Sequence, residues 1–389
     1  MKVLWLCSWY PNRYIFHNGF FVRRQAEAVA RFADIATLHA VEKTTEILSP
    51  DGTKQKIRGG ANFEIEINRK THFEVLVYFP KSNNKFLKFF RQFRAYRKGY
   101  AAVCREFGKP DLVHLHVVYS AGIFALFLHY FHGLAFVISE HWAGYRTEVG
   151  AFQRGGWLMR TLAEACFRAA RGVMALSPFH AATMQQHSLN NRYFYVPNVV
   201  DTTLFKQKSK EKQETIRLLH VSGLNDTPKN ITGILNSVAQ LSKIRQDFVL
   251  DIIGDPFEQP PYKALVNALN IEKFIHFYDY LPIEKVAEHM QKADIFVLFS
   301  RFEGLPCVIL EAMSVGLPVV ATETGGMADW ITEGSGRLVK SEDEAALVEN
   351  LDFIMTHLSG FNPELIRKKI VETCSYDAVG QAITDVYRS

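Results

Sequence analysis

Two glutamates eight positions apart, Glu303 and Glu311, flank a turn and a helix start in the segment Ser300–Gly326, SRFEGLPCVILEAMSVGLPVVATETGG. The apolar run ending at Phe299 reads as a buried strand and Glu303-Gly304-Leu305 as a turn. Pro306 reads as the first residue of a helix that runs to Val315, with Gly316 as its cap. The first backbone amides, from Gly304 to Cys307, then point out of the helix start, where the macrodipole favours a phosphate. Carboxylates accept hydrogen bonds from hydroxyl groups. The pattern therefore suits a ligand carrying a diphosphate between two polyhydroxylated rings. Taken singly, Glu303 also reads as a turn residue and Glu311 as a solvated helix position.

Other polar residues are less specific. His114 and His116 stand at i, i+2 on one side of a predicted strand, a spacing that a metal uses, but no third ligand accompanies them. They read as structural or cleft-lining residues. No Asp-x-Asp occurs in the chain, so the usual carboxylate pair for a catalytic divalent cation is missing, and no metal site is expected. The five cysteines are scattered, without a CxxC pair, as expected of reduced thiols in a cytoplasmic protein. The apolar run Val3–Cys7 is too short for the core of a signal peptide, about 7–15 residues.

The elements that must carry these residues follow an α/β grammar. A length of 389 residues implies two domains. Strands are predicted at Val3–Cys7, Ile35–His39, Val75–Phe79, Asp111–His116, Ala135–Ser139 and Val173–Leu176, with a last short one at Tyr195–Pro197. Helical patterns separate them, including Gly19–Arg31 and a buried helix from Ser120 to Phe131. Residues 117–139 contain no charged side chain, but His129, His132 and Gly133 interrupt the run, which reads as helix, turn and strand. The polar connector 206–214 marks a domain boundary, placing residues 1–208 in one domain and 209–375 in the next. Strands then restart at Arg217–Val221, Phe248–Ile253, Ile275–Phe277, Ile295–Phe299 and Pro318–Ala321. A final helix, 376–389, is expected to pack back on the first domain. The fold class is α/β, with two Rossmann-like, doubly wound parallel-sheet domains facing a central cleft.

Charge divides along the same boundary. Residues 1–210 hold 29 Lys and Arg against 14 Asp and Glu, whereas the remainder holds 16 against 26. The basic half suits an anionic partner. Within it, residues 81–105 (KSNNKFLKFFRQFRAYRKGYAAVCR) carry eight cations and no acid, interleaved with aromatics at helical spacing. This describes an amphipathic helix on an anionic membrane surface. A core-facing helix with a solvated basic face is the competing reading; no nucleic-acid motif accompanies the segment.

Glu303-Gly304-Leu305-Pro306, Glu311-Ala312-Met313, the run Gly316–Thr322 and Gly325-Gly326 resemble the signature of the GT-B glycosyltransferases of family 4, in which two glutamates are separated by seven residues. Pro110–His116, Val196–Asp201 with Phe205, and Ala293-Asp294-Ile295 extend the resemblance over the chain. It implies a hexosyltransferase that takes a sugar from a UDP- or GDP-linked donor and retains anomeric configuration. The expected acceptor is a saccharide, lipid-linked, in cell-envelope polysaccharide synthesis at the cytoplasmic side of the membrane. The nucleotide sugar is a substrate, and no cofactor is implied. Carried over, Glu311 binds the donor ribose, Glu303 the hydroxyls of the donor sugar, and Lys229 the diphosphate, near the amides of Gly304 and Leu305. Asn18 and Gly19 approach the donor phosphates, and His141 reaches the transferred sugar. The family's arginine a few residues before the lysine is absent from Val221–Lys229, which leaves Arg301 and Arg146 as substitutes. Two rivals stay open: a phosphorylase or epimerase using the same fold, and a non-catalytic sugar-nucleotide-binding subunit.

Overall fold

The computed structural model describes residues 1–44, 46–48, 54–56, 60, 62–189, 191–207 and 214–389. They form two units. The first takes the described residues from Met1 to Val199 together with Tyr376–Ser389; the second is Val200–Ser375. Most of the expected connector, residues 208–213, lies outside the described residues.

Unit 1 begins β1 (Lys2–Cys7), α1 (Phe20–Val29), β2 (Asp34–Glu42), the small hairpin β3 (Glu46–Leu48) and β4 (Lys54–Lys56), β5 (Glu64–Arg69) and β6 (Phe73–Phe79). It continues with α2 (Lys85–Glu106), β7 (Leu112–His116), α3 (Val118–His132), β8 (Phe136–Glu140), α4 (Ala151–Arg154), α5 (Gly156–Ala169), β9 (Val173–Ala175), α6 (Pro178–Gln185) and β10 (Tyr193–Tyr195). Its eight-stranded sheet runs β10-β9-β8-β7-β1-β2-β6-β5, parallel except for β5. Alternate residues of β1 enter two cores: Leu4 and Leu6 face α2, α3 and α5, while Val3, Trp5 and Cys7 face α1. The closing helix of the chain, Tyr376–Arg388, is α14 and shares that second core. Gly380 lets it approach α1 closely, since a Cβ there meets the Ala28 carbonyl oxygen at 2.5 Å. The uncharged stretch 117–139 is α3 followed by β8, and no described helix is long and apolar enough to cross a membrane.

Unit 2 comprises β11 (Ile216–Val221), α7 (Asp226–Lys229), α8 (Ile231–Leu241), β12 (Phe248–Ile253), α9 (Gln259–Leu269), β13 (Ile275–Tyr278) and α10 (Ile283–Lys292). It continues with β14 (Ile295–Leu298), α11 (Cys307–Val315), β15 (Val319–Thr322), β16 (Gly336–Val339), α12 (Glu344–Thr356) and α13 (Pro363–Cys374). The six strands are parallel in the order β13-β12-β11-β14-β15-β16, the order of a dinucleotide-binding fold. Chain direction across the sheet reverses between β11 and β14.

Four details depart from expectation. β5 and β16 carry no strong apolar signal and were not predicted. The strand expected at Tyr195–Pro197 sits two residues earlier, because Pro197 has no N–H to give a ladder. Pro306 is extended (ψ 127°) and caps α11 from outside, so the helix opens at Cys307. Helix α2 does form over the basic stretch, but its aromatics do not share one fate: Tyr96 and Tyr100 are core residues and Phe93 packs against them, while Phe86, Phe89 and Phe90 are exposed.

Candidate functional site

In open α/β sheets the crevice for a ligand lies outside the carboxyl ends of the strands where the winding reverses. In unit 2 that point is flanked by the loops after β11 and β14, which carry Lys229 and Glu303 respectively. The loop after β11 is built by short-range capping. Asn225 Oδ1 accepts the Thr227 amide at 3.1 Å to start α7, and Asn230, left-handed at φ 52°, ends it. The same Asn230 opens α8 by accepting the Gly233 amide at 3.2 Å. This reversal delivers Lys229 to the loop after β14, where its ammonium donates to Glu303 Oε1 at 2.5 Å. Two further N–H bonds of the ammonium remain in its donor inventory for an anion.

Arg301 answers for part of this geometry. Its guanidinium donates to the Asp226 carbonyl, to Asn230 Oδ1 at 2.7 Å and to the Glu342 carboxylate, and its backbone amide donates to Pro228 at 2.8 Å. The planar fork thus grips the loop that presents Lys229. Sequence reasoning named Arg301 only as a substitute cation; its contacts make it a clamp. Arg146, the other substitute, is a buried residue of unit 1, with its guanidinium 3.5 Å from Glu148 and over the Phe179 ring.

The turn carrying Glu303 is pinned from β15. Gly325 is left-handed (φ 64°), and a Cβ on it meets the Gly304 carbonyl oxygen at 2.1 Å; Gly326 N–H donates to the same oxygen at 3.0 Å. The double glycine is therefore a steric requirement of the turn. At Gly304 itself a Cβ meets nothing within 4 Å, so that side of the turn is open. Leu305 is buried, which restricts any part it plays to its backbone. Glu311, in the second turn of α11, is only 2% exposed and is no solvated helix position. Behind the pair, His220 ties β11 to β14: Nδ1–H donates to the Val297 carbonyl at 2.9 Å and Nε2 accepts from Ser222 at 2.8 Å. Burial lowers its pKa from 6.5 to about 4, so it stays neutral. Nothing in the local pattern around His220 signals the tie to β14, because Val297 lies 77 positions away, whereas the caps made by Asn230 are local and went unread.

Unit 1 reverses its winding between β1 and β7. Gly19 (φ 65°) begins α1 where a Cβ meets the Trp9 carbonyl carbon at 2.7 Å, and Asn18 Nδ2 donates to the Tyr10 carbonyl at 3.4 Å. Across the reversal Val117 is held at φ 63°, strained for a β-branched residue, with its carbonyl accepting from Ser8 Oγ at 2.6 Å. His141 follows β8. Its ring lies against Phe21 at 4.8 Å and parallel to His116 at 5.9 Å, and both ring nitrogens are solvent-inaccessible with no hydrogen-bond partner. Burial, then the neighbouring His180, lowers its pKa to about 3, so the ring is neutral. Glu140, missed as a site residue, supports it. This buried carboxylate accepts the amides of His141 at 3.0 Å, Trp142 at 3.1 Å and Val118 at 3.2 Å, and the Tyr145 hydroxyl at 3.1 Å. His114 is a structural residue, bridging Ser139 at 2.8 Å and Tyr387 at 2.6 Å, and His116 stacks on Trp5 at 4.1 Å.

The predicted residues therefore gather in two places. Asn18, Gly19 and His141 lie at the carboxyl edge of unit 1. Lys229, Glu303, Gly304, Leu305 and Glu311 lie at the carboxyl edge of unit 2. Among the described residues no group of three His, Cys, Asp or Glu is placed to hold a metal ion.

Comparison with known proteins bears on these edges. Residues 201–359 match the family described as Glycosyl transferases group 1, and residues 57–204 match Glycosyltransferase Family 4. A stretch of 200 residues is 26% identical to the MMP alpha-(1->4)-mannosyltransferase of Mycolicibacterium hassiacum, covering 49% of this chain and 47% of that protein. Another of 160 residues is 29% identical to the lipopolysaccharide 1,6-galactosyltransferase of Escherichia coli, covering 40% and 44%. The chain spans about half the length, or less, of these curated relatives. Among solved structures, sucrose-phosphate synthase of Thermosynechococcus elongatus superposes with a TM-score of 0.77 at 18% identity, covering 100% of this chain and 98% of that one. Anabaena HepE in complex with UDP-glucose superposes with a TM-score of 0.68 at 15% identity, covering 100% and 99%.

Proposed function

We propose, from the premise that this chain belongs to the group 1 glycosyltransferases of GT-B fold, that it moves a hexosyl group from a nucleotide sugar bound by unit 2 to a saccharide acceptor received by unit 1. The observation that carries the reading is the Lys229–Glu303 pair at the winding reversal of unit 2, with Glu311 buried one helix turn beyond. When the anomeric C–O bond to the diphosphate breaks, the leaving oxygen takes the electron pair. Lys229 and the amides that open α11 stabilise that charge, and no metal ion is needed. Glu303 accepts from hydroxyls of the transferred sugar while holding the ammonium in place, and Glu311 accepts from the ribose. His141, neutral in its apolar setting with both ring nitrogens covered, stands on the acceptor side toward the transferred sugar and brings no charge to it. Transfer retains anomeric configuration in this reading.

The mannosyl- and galactosyltransferase relatives and the UDP-glucose complex of a fold neighbour support a nucleotide-linked hexose as donor, read here as UDP- or GDP-linked. The acceptor is a saccharide on a lipid carrier for cell-envelope polysaccharide. The protein is cytoplasmic and meets an anionic membrane surface through the exposed first turns of α2, within residues 81–105. A second reading, donor binding without transfer, is favoured by one observation: the clamp contacts of Arg301 leave the arginine missing before Lys229 unreplaced. A metal-free thermal-shift panel of UDP- and GDP-sugars, followed by transfer of labelled sugar to a lipid extract, tests both. One donor that raises Tm in wild type and not in Glu311→Ala, with label incorporated, supports transfer. The same shift without incorporation supports the second reading, and no shift with any donor defeats the site assignment.

A further inference from the structure

Exposed aromatics on unit 1 include several at helix starts, apart from Tyr130 and Phe131 at the end of α3. In α2 the buried residues begin at Ala95, whereas Phe86 is 79% exposed and Leu87 and Phe90 are also exposed. Tyr119 at the start of α3 is exposed. So are Trp157 and Leu158 at the start of α5, Trp157 at 73%. The topology places these three starts on one edge. Helices α2 and α3 follow the parallel strands β6 and β7, so both begin at the carboxyl edge of the sheet. β8 also leaves at that edge. The turn after it holds Trp142, whose ring is 6.1 Å from Tyr119, and Tyr145, whose ring is 5.1 Å from Phe152 of α4. Helix α5 begins two residues after α4 ends, on the same side. Single exposed apolar residues are ordinary, but large ones grouped on the edge that also bears His141 and Gly19 mark an interaction surface.

Charge selects the partner. Residues 81–105 hold eight cations and no acid, and residues 150–163 hold Arg154 and Arg160 and no acid. Trp and Tyr beside Lys and Arg suit the headgroup boundary of a bilayer, where the ring meets acyl chains and the cations meet phosphate. We infer that the starts of α2, α3 and α5 form one docking rim that inserts Phe86, Phe90, Trp157 and Leu158 into an anionic phospholipid surface. Only the first turns of α2 enter, since its remaining aromatics are held in the core. The rim turns the carboxyl edge of unit 1 toward the bilayer. This deepens the reading of a membrane-borne acceptor and rests on it for its purpose, though lipid binding is measurable without transfer.

Co-sedimentation with phosphatidylcholine vesicles, with and without 30 mol% phosphatidylglycerol, tests it on wild type, Phe86→Ser/Phe90→Ser and Trp157→Ser/Leu158→Ser. The expected result is binding to anionic vesicles only, reduced at least tenfold by either double variant, with Tm and the donor-induced Tm shift kept. Tryptophan quenching by brominated lipid should fall in the second variant. Wild-type binding in the Trp157→Ser/Leu158→Ser variant overturns the rim and leaves α2 alone. Equal binding to neutral vesicles, or a change of oligomeric state in place of vesicle binding, overturns the lipid partner. Loss of every donor shift in wild type defeats the transferase reading instead, whatever the vesicles show.

Discussion

The two units solve one topological problem with opposite chemistry. In each, the winding reversal opens a crevice at the carboxyl edge of a parallel sheet. Unit 2 lines it with a Lys–Glu pair, an arginine clamp and a second glutamate on a buried helix. Unit 1 instead packs neutral rings behind its edge: Phe21 and His141, with Trp5, His114 and His116 wholly buried beneath them. A charged crevice holds an ionic ligand and stabilises charge that develops during reaction. Neutral rings packed behind an edge exclude water and bring no charge to it. The strand order alone does not distinguish the two; the side chains on the loops after the strands do.

The largest effect that separates the units is acid. His39, His72 and His180 have pKa values lowered to about 4 and His141 to about 3, and His114 and His116 are lowered well below the usual imidazole value, all in unit 1 and all chiefly by burial. Unit 2 has one such residue among those described, His220. Below the unfolded value near 6.5 the unfolded chain takes up protons that the folded chain refuses, so stability falls as pH falls toward the folded values. At pH 5 each buried neutral histidine costs about 2 kcal/mol. Hydrogen exchange between pH 7 and pH 5 should therefore show unit 1 opening first; simultaneous loss of protection in both units would erase the contrast.

Chemistry gives the next effect. Lys229→Ala should lower kcat about 10²–10³-fold, near 3–4 kcal/mol, with a smaller change in donor affinity. Glu311→Ala should act on binding instead, weakening donor Kd by about 1.5–3 kcal/mol, measured by calorimetric titration. If both variants changed kcat and Kd alike, the division of labour inside unit 2 would collapse. Arg301→Lys keeps the charge but loses the fork, and should cost about 1 kcal/mol in unfolding free energy, with kcat reduced less than in Lys229→Ala. Full activity in that variant would show that the loop needs no clamp.

Much of this was legible because period and punctuation are local. Apolar runs located the parallel strands of both sheets except β16, and Gly316 ended α11 where the pattern places it. The turn, the helix start and the two glutamates of 303–311 share one stretch of chain, so their spacing carried geometry. What escaped depends on distant partners. β5 alternates Glu64 and Glu66 with Ile65 and Ile67 on a sheet edge, and nothing local says whether such a strip pairs. Lys229 and Glu303 meet across 74 positions, and Arg301 becomes a clamp only once α7 turns back beneath it. For α2, helical spacing identified the shared face but not that the core covers only its later turns.

One contact carries a consequence for how the chain is made. The Tyr387 hydroxyl, on α14, bonds His114 in the centre of the unit 1 sheet, and Val379, Ile383 and Val386 complete its second core. The residues that finish the first unit thus leave the ribosome after every residue of the second. Unit 2, continuous from Val200 to Ser375, has all its own parts while one face of unit 1 is covered by α1 alone. Folding that usually proceeds from the N-terminus is here closed in reverse order. During that interval Ala28 and its neighbours on α1 present apolar surface that a chaperone is suited to shield.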